Sequence, residues 1–183
     1  RDCLLSRGLG DVYKRQVYIG SFSKSFSAAL RVGFIACGAA LASDLADLKA
    51  LVHVSSSEYC ERMVDVMLRE GHYERHLVRL RQRLQAATGN ALQVLDALGA
   101  KVHVRPTSSL YLWAAFPGVE NSLTLAQDLM PEKIIMAPGR VFSVDPTAVS
   151  PWSRCNVGAV VSPRFQTALA AQLGQAGRRP GQR

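Results

Sequence analysis

The chain has 183 residues, of which 48% are apolar, 20% charged and 7% aromatic, a length that suits one domain or a domain with part of another. No apolar run approaches the roughly 18 residues of a membrane-spanning helix, and the composition excludes collagen-like, low-complexity and disordered chains. The formal charge of +8 sits mostly at the ends, with a net +2 over 1–16 and +3 over 174–183, so a dedicated DNA-binding surface within the body is not expected.

Arg1–Gln16, RDCLLSRGLGDVYKRQ, has neither helical nor strand periodicity and does not begin with Met. It resembles the translated adaptor strings found at the ends of assembled environmental reads, GLGDVYKRQ above all. It is therefore set aside from fold reasoning, and the natural protein is expected to be cut at Val17. Val17–Ser21 is a short β-branched and aromatic run that reads as a buried strand, and Arg31–Cys37 as a second strand ended by Gly38. From Ala39 the pattern turns helical, with Leu41, Leu45, Leu48 and Val52 on one face. A second helix starts near the Ser55–Ser57 caps and runs through Met63, Val66, Met67 and Leu68 to Gly71.

Leu77, Leu80, Leu84, Ala87, Ala91, Val94 and Leu98 then recur at alternating three- and four-residue steps. They predict a long amphipathic helix from about His72 to Leu98, with Gly99 as its C-cap. Its other face carries Glu74, Arg75, Arg79, Arg81 and Arg83 and reads as a solvated surface. Lys101–Arg105 and Leu110–Phe116 follow as strands separated by the Pro106–Ser109 turn. Asn121 or Ser122 caps a helix to Met130. Lys133–Ala137 reads as a strand, Pro138-Gly139 as a turn opening a loop, and Arg154–Val160 as another strand. Ser162-Pro163 starts a final helix to about Leu173, and 174–183 is expected to be a flexible tail. Alternating strands and helices in the second half suggest an α/β sandwich, without internal repeats.

Two segments could carry chemistry. In Gly20-Ser-Phe-Ser-Lys24-Ser-Phe-Ser-Ala-Ala-Leu-Arg31, a lysine directly follows a strand, among hydroxyls, with an arginine seven residues on. Lysine is a nucleophile only when deprotonated, a state favoured by desolvation and neighbouring cations. Serine hydroxyls with an arginine fork suit a phosphate, and a Schiff-base lysine beside a phosphate anchor is what pyridoxal phosphate requires. A surface loop lysine is the plainer alternative. In Trp152-Ser-Arg154-Cys-Asn-Val-Gly158, an arginine opens an apolar strand, a place suited to bidentate capture of a carboxylate or to a simple edge-strand arginine.

SFSK followed by LRVGF resembles the lysine segment of fold-type I pyridoxal-phosphate-dependent aminotransferases, and SRCNVG resembles their carboxylate-binding segment. Between them GHYERHLVRLRQRL is similar to the G-x-Y-E-R-H-L-x-R-x-R helix of the MocR subgroup and of its aminoadipate-type relatives. PTSSLYLW, IMAPGRVF and SPWSRCNVG resemble later segments of that subgroup, whose members join a GntR-type winged helix to an aminotransferase-like domain. The resemblance covers about residues 17–173, and its segments come in order.

What it implies is an incomplete α/β, aspartate aminotransferase-like fold. The end of the large cofactor domain would occupy 17–75, and the linking helix with a small α/β domain 76–173. Lys24 would form the imine with pyridoxal phosphate, Ser21 and Arg31 would hold the cofactor phosphate with Ser23 in a lesser part, and Arg154 would bind the α-carboxylate of an amino acid. In a transaminase Lys24 would move the proton between the substrate Cα and the cofactor C4′. The resemblance also implies a homodimer, an amino acid or 2-oxo acid ligand, and DNA contact only through a winged helix outside this chain. Where the family usually has Gly-Gly before the aromatic strand, Ser108-Ser109 stand here, which bears on ligand preference. The family's upstream partners of the cofactor ring are absent from this chain, so the fragment alone is not expected to be a working enzyme.

His72 and His76, four apart on one helix face, lack a third ligand of suitable spacing and read as helix surface, with no metal expected. Cys3, Cys37, Cys60 and Cys155 form neither a zinc spacing nor a disulfide framework. Without a secretory leader pattern in the given sequence, they point to a reducing cytoplasm. Tyr111, Trp113 and Phe116 read as core by default, although one face of their strand could line a cleft. The reading is the effector-sensing part of a MocR/GntR-type transcriptional regulator, with a stand-alone class I/II aminotransferase as the alternative.

Overall fold

A computed structural model describes residues 16–176 of the chain, which divides into two compact units between Leu80 and Arg81. Both the N-terminal stretch to Arg15 and the end of the tail lie outside the described residues.

The first unit opens with β1 (Tyr18–Ser21) and β2 (Gly33–Ala36). They pair antiparallel with Gly20 opposite Phe34, and the Phe34 ring lies so close over Gly20 that a Cβ there would stand 2.3 Å from it. Two helices follow, α1 (Ala39–His53) and α2 (Glu58–Arg69). The Ser57 side chain caps α2 by accepting from the Cys60 N–H, satisfying one of the donors that a helix start leaves open. The strand at β1 is present as the sequence predicts, but it is exposed rather than buried: Ile19 retains 72% of its accessible surface and Tyr18 60%. On α1, Leu48, Leu51 and Val52 are likewise exposed. Among the described residues no element covers these side chains.

α3 (His72–Ala97) runs from the first unit into the second. Its end is a left-handed Gly99, φ 69°, with the Gly99 N–H donating to Asp96 O and the Ala100 N–H to Leu95 O. Glycine takes that conformation without the Cβ penalty of other residues.

The second unit holds a four-stranded sheet in the order β3-β4-β6-β5, antiparallel throughout. Its strands are β3 (Lys101–Val102), β4 (Tyr111–Ala115), β5 (Ala137–Pro138) and β6 (Trp152–Asn156). Alternation sorts the side chains by face. Leu112, Ala114, Ser153 and Cys155 are buried, while Tyr111, Trp113 and Arg154 occupy the other face. Against the buried face pack Ala91 and Leu95 of α3, α4 (Ser122–Leu129), the short α5 (Val157–Val160) and α6 (Pro163–Ala176). Leu95, Leu112, Leu129 and Leu169 are fully buried, each contributing about 1.5–3 kcal/mol of transfer free energy. Asn121 caps α4 through its side chain, one of the two caps the sequence offers.

Three predicted strands differ from the structure. Lys101–Arg105 shortens to two residues, although the His103 N–H still donates to Trp113 O at 2.9 Å. Lys133–Ala137 contributes only Ala137 to β5; Lys133 turns left-handed, φ 55°. Its N–H donates to Met130 O, just past α4, and that of Ile134 to Leu129 O, the last carbonyl of α4. Arg154–Val160 is extended only to Asn156, whose side chain accepts from the Gly158 and Ala159 N–H groups and starts α5. Among the described residues no helix is long and apolar enough to cross a membrane.

Candidate functional site

The Lys24 segment lies between the paired strands of the first unit. After β1 the chain turns back: the Phe26 N–H donates to Phe22 O at 2.8 Å and the Ser27 N–H to the same carbonyl at 3.2 Å. Lys24 sits at the centre of this turn and is exposed. The Ser21 hydroxyl oxygen accepts from the Ser23 N–H at 3.2 Å, which leaves its own proton free to donate. Ser27 caps the short 3-10 turn Ala28–Leu30, and the chain leaves it through Arg31 in the left-handed region, φ 53°. A non-glycine residue held there is uncommon and costs of order 1 kcal/mol. Among the described residues no carboxylate pairs with Lys24 or Arg31. The segment thus offers an amine, free hydroxyl protons and a guanidinium fork in one short stretch. This donor-rich set fits a dianionic phosphate with an amine-reactive carbonyl. Arg31 also lines a cleft of about 840 Å³ beside Lys49 and Glu61, whose lining does not include Lys24.

Aromatic packing anchors the turn. Phe22 meets the Tyr73 ring edge-on at 5.5 Å, Phe26 meets it at 6.2 Å, and Phe26 also packs on His76 at 5.7 Å. The Tyr73 hydroxyl donates to Ser25 Oγ at 2.7 Å. Tyr73 and His76 belong to the GHYERH motif, which the sequence marks as a family signature without assigning it a contact. His72 faces elsewhere: its ring contacts Glu70 at 3.0 Å and accepts from the Arg75 guanidinium at 2.9 Å. The two histidines therefore meet different partners, and among the described residues no cluster of three His, Cys, Asp or Glu could hold a metal.

Arg154 belongs to the second unit. It stands on β6 opposite Trp113 of β4 and Ala137 of β5, on the exposed face of the sheet. Its guanidinium lies 4.5 Å from the Tyr111 ring centroid and 5.0 Å from that of Phe142, and Phe142 meets Trp113 edge-on at 5.2 Å. The rings lie against the flat fork, and among the described residues no hydrogen bond or ion pair engages its edge of N–H donors, the edge that a planar carboxylate takes. Tyr111 and Arg154 also line a cleft of about 430 Å³. Phe142 is absent from the sequence-based candidates; its signal is the aromatic residue three positions after Pro138-Gly139.

The Ser108-Ser109 departure has a structural counterpart. The Ser109 N–H donates to the buried Thr88 hydroxyl at 3.0 Å, and that hydroxyl faces Leu84 O at 2.7 Å. Ser109 Oγ in turn donates to Tyr111 O at 2.7 Å. The turn that delivers Tyr111 to Arg154 is thereby tied to α3. Elsewhere in this unit, Gly139 is buried with its N–H on Ser122 Oγ at 3.1 Å.

The model of aminotransferase class I and II matches residues 6–173. The chain belongs to the class I and II aminotransferase family. The matched span extends into the N-terminal stretch set aside above. Membership of this family implies pyridoxal phosphate as the cofactor. Among curated relatives, the HTH-type transcriptional regulator NorG of Staphylococcus aureus is 28% identical over 135 residues, covering 72% of this chain and 30% of NorG. The HTH-type regulator YisV of Bacillus subtilis is 26% identical over 128 residues, covering 69% of this chain and 26% of YisV. The chain thus spans less than a third of the length of these relatives. Among solved structures, the α-aminoadipate aminotransferase LysN of Thermus thermophilus superposes with a TM-score of 0.77 at 20% identity, covering 92% of this chain and 44% of LysN. That similarity establishes the aminotransferase fold, incomplete in this chain.

Proposed function

We propose that this chain is the cofactor-binding, effector-sensing part of a MocR/GntR-type transcriptional regulator. The observation that carries the reading is the similarity over most of the chain to two HTH-type regulators. In this reading 17–75 is the end of the large cofactor domain and 76–173 the linking helix with the small domain. DNA contact falls to a winged helix elsewhere in the intact protein, in keeping with the modest charge of the body. A homodimer in the cytoplasm completes the proposal.

Pyridoxal phosphate, when bound, supplies a carbonyl that condenses with amines and a ring that withdraws electrons from the substrate α-carbon. Lys24 supplies the amine that holds it. Ser21 and Arg31 bind its phosphate, with Ser23 in a lesser part, through the free hydroxyl and the guanidinium fork. Arg154, steadied between Tyr111 and Phe142, takes the α-carboxylate of an amino acid or 2-oxo acid. If the intact protein transaminates, Lys24 also moves the proton at the substrate Cα.

The test uses the intact gene product. The regulator reading expects visible imine absorbance that disappears in Lys24→Ala, together with retardation of its upstream DNA that changes when an amino acid is added. Imine absorbance with catalytic amino transfer and no DNA retardation would replace it with a stand-alone aminotransferase. Unchanged absorbance in Lys24→Ala would remove the cofactor assignment from both.

A further inference from the structure

The GHYERH motif opens α3 within the same unit as Lys24, and four contacts join the two, three of them made by Tyr73 and one by His76, whose ring packs on Phe26 at 5.7 Å. Phe22 and Phe26, two residues before and two after Lys24, both pack against the Tyr73 ring. Ser25, the residue after Lys24, accepts the Tyr73 hydroxyl proton at 2.7 Å. The backbone closes the loop around the lysine through Phe26 N–H to Phe22 O. Lys24 has a flexible four-carbon stem, and its turn is otherwise an exposed connection of the kind that moves. Its Cα is held by what grips residues 22, 25 and 26: Phe34 and the Val32 carbonyl also hold Phe22 and His76 also packs on Phe26, but Tyr73 touches all three.

We propose that Tyr73 and Ser25 are positioning residues for Lys24, the hydrogen bond between their hydroxyls holding the turn that presents the lysine amine to the cofactor. The proposal rests on the reading of Lys24 as the cofactor lysine. It gives the signature helix a physical role: its first turn sets the approach of the amine. Because Ser25 Oγ accepts from Tyr73, its own proton is left to donate. Neither residue needs to touch the cofactor for this role.

The experiment follows the visible imine band of the intact, pyridoxal phosphate-loaded protein as pH is varied. Tyr73→Phe and Ser25→Ala are each expected to move the midpoint of the band by about half a pH unit in the same direction, the size of one neutral hydrogen bond. The corresponding change is roughly threefold in the imine equilibrium. The double variant is expected to move the midpoint no further than the larger single change, because both hydroxyls serve one interaction. Ser25→Thr, which keeps the hydroxyl, is expected to keep the wild-type midpoint. Unshifted midpoints in both single variants, or shifts that add in the double, overturn the positioning role while leaving Lys24 as the cofactor lysine. A wild-type protein with no imine band overturns the cofactor reading itself, and the proposal with it. Should Tyr73→Phe fail to fold, the contrast between Ser25→Ala and Ser25→Thr decides alone: equal midpoints overturn the proposal.

Discussion

Arg154 and Tyr111 are diagonal neighbours on paired strands, and the guanidinium of one lies 4.5 Å from the ring centroid of the other. The ring takes up one face of the fork, and Phe142 stands 5.0 Å from it as well. Removing Phe142 leaves the charge but loosens its aim. Phe142→Ala is expected to weaken amino-acid binding to the loaded protein by a few fold, the worth of an exposed cation–π contact of about 0.5–1 kcal/mol. Arg154→Lys keeps the charge but loses the fork, and is expected to cost at least tenfold on the same assay. Equal losses of cofactor affinity in either variant would count against a carboxylate role.

Gly139 and Gly89 make opposite expectations for the same substitution. A Cβ at Gly139 would stand 2.3 Å from Ser150 Oγ and 2.6 Å from Trp152 O, whereas one at Gly89, inside α3, meets nothing within 4 Å. Gly139→Ala is expected to lower stability by about 1–3 kcal/mol through overpacking. Gly89→Ala is expected to raise it by up to about 1 kcal/mol through helix propensity. Denaturant midpoints of the two variants read both signs at once.

Thr88 is fully buried, and its hydroxyl is the acceptor for the Ser109 N–H. Thr88→Val keeps the shape but strands that donor, which costs about 1–3 kcal/mol. Thr88→Ser keeps the acceptor and is expected to lose less. If valine proved the milder change in thermal melts, the bond to Ser109 would not be what holds the turn.

Stability should bend at both ends of the pH scale. Burial pushes the Cys155 thiol from an ordinary value near 9 up to about 12. The folded chain therefore keeps a proton that the unfolded chain releases. The resulting stabilisation is complete below pH 9 and is lost as pH rises toward 12. On the acid side, Asp96 is held below the usual carboxylate range by hydrogen bonding from Arg105, and Asp145 by hydrogen bonding from Thr147. Their contributions are present above the usual carboxylate pKa and fade as pH falls through and below it. Denaturant midpoints from pH 7 to 10 test the alkaline limb, where Cys155→Ala should flatten the slope. In the native state the same thiol should resist alkylation, while half-buried Cys37 and Cys60 react first.

Most helices were legible from residue pattern alone, because their periodic faces and caps agree: α3 has its three-and-four leucine spacing and Gly99, and α4 has Asn121. The errors fall where two local signals compete. Val157–Val160 is apolar enough for a strand, but Asn156 before it is a cap, and the cap wins. Lys133–Met136 spends its first N–H groups closing α4, and Ile135 is left 95% exposed. At the candidate site, Lys24, Arg31 and Arg154 could be singled out because charged residues beside apolar strands need a reason. Tyr73 could not be tied to Ser25, since 48 residues separate them and a contact of that span leaves no trace in local spacing.

β1 and β2 form a two-stranded ribbon whose outer backbone edges have no further strand beside them among the described residues, and whose apolar side chains face water. Ribbons of two strands rarely hold their shape unaided, and open edges invite pairing with other chains. This stretch of polypeptide on its own is therefore expected to self-associate as its concentration rises, which light scattering over a dilution series would read.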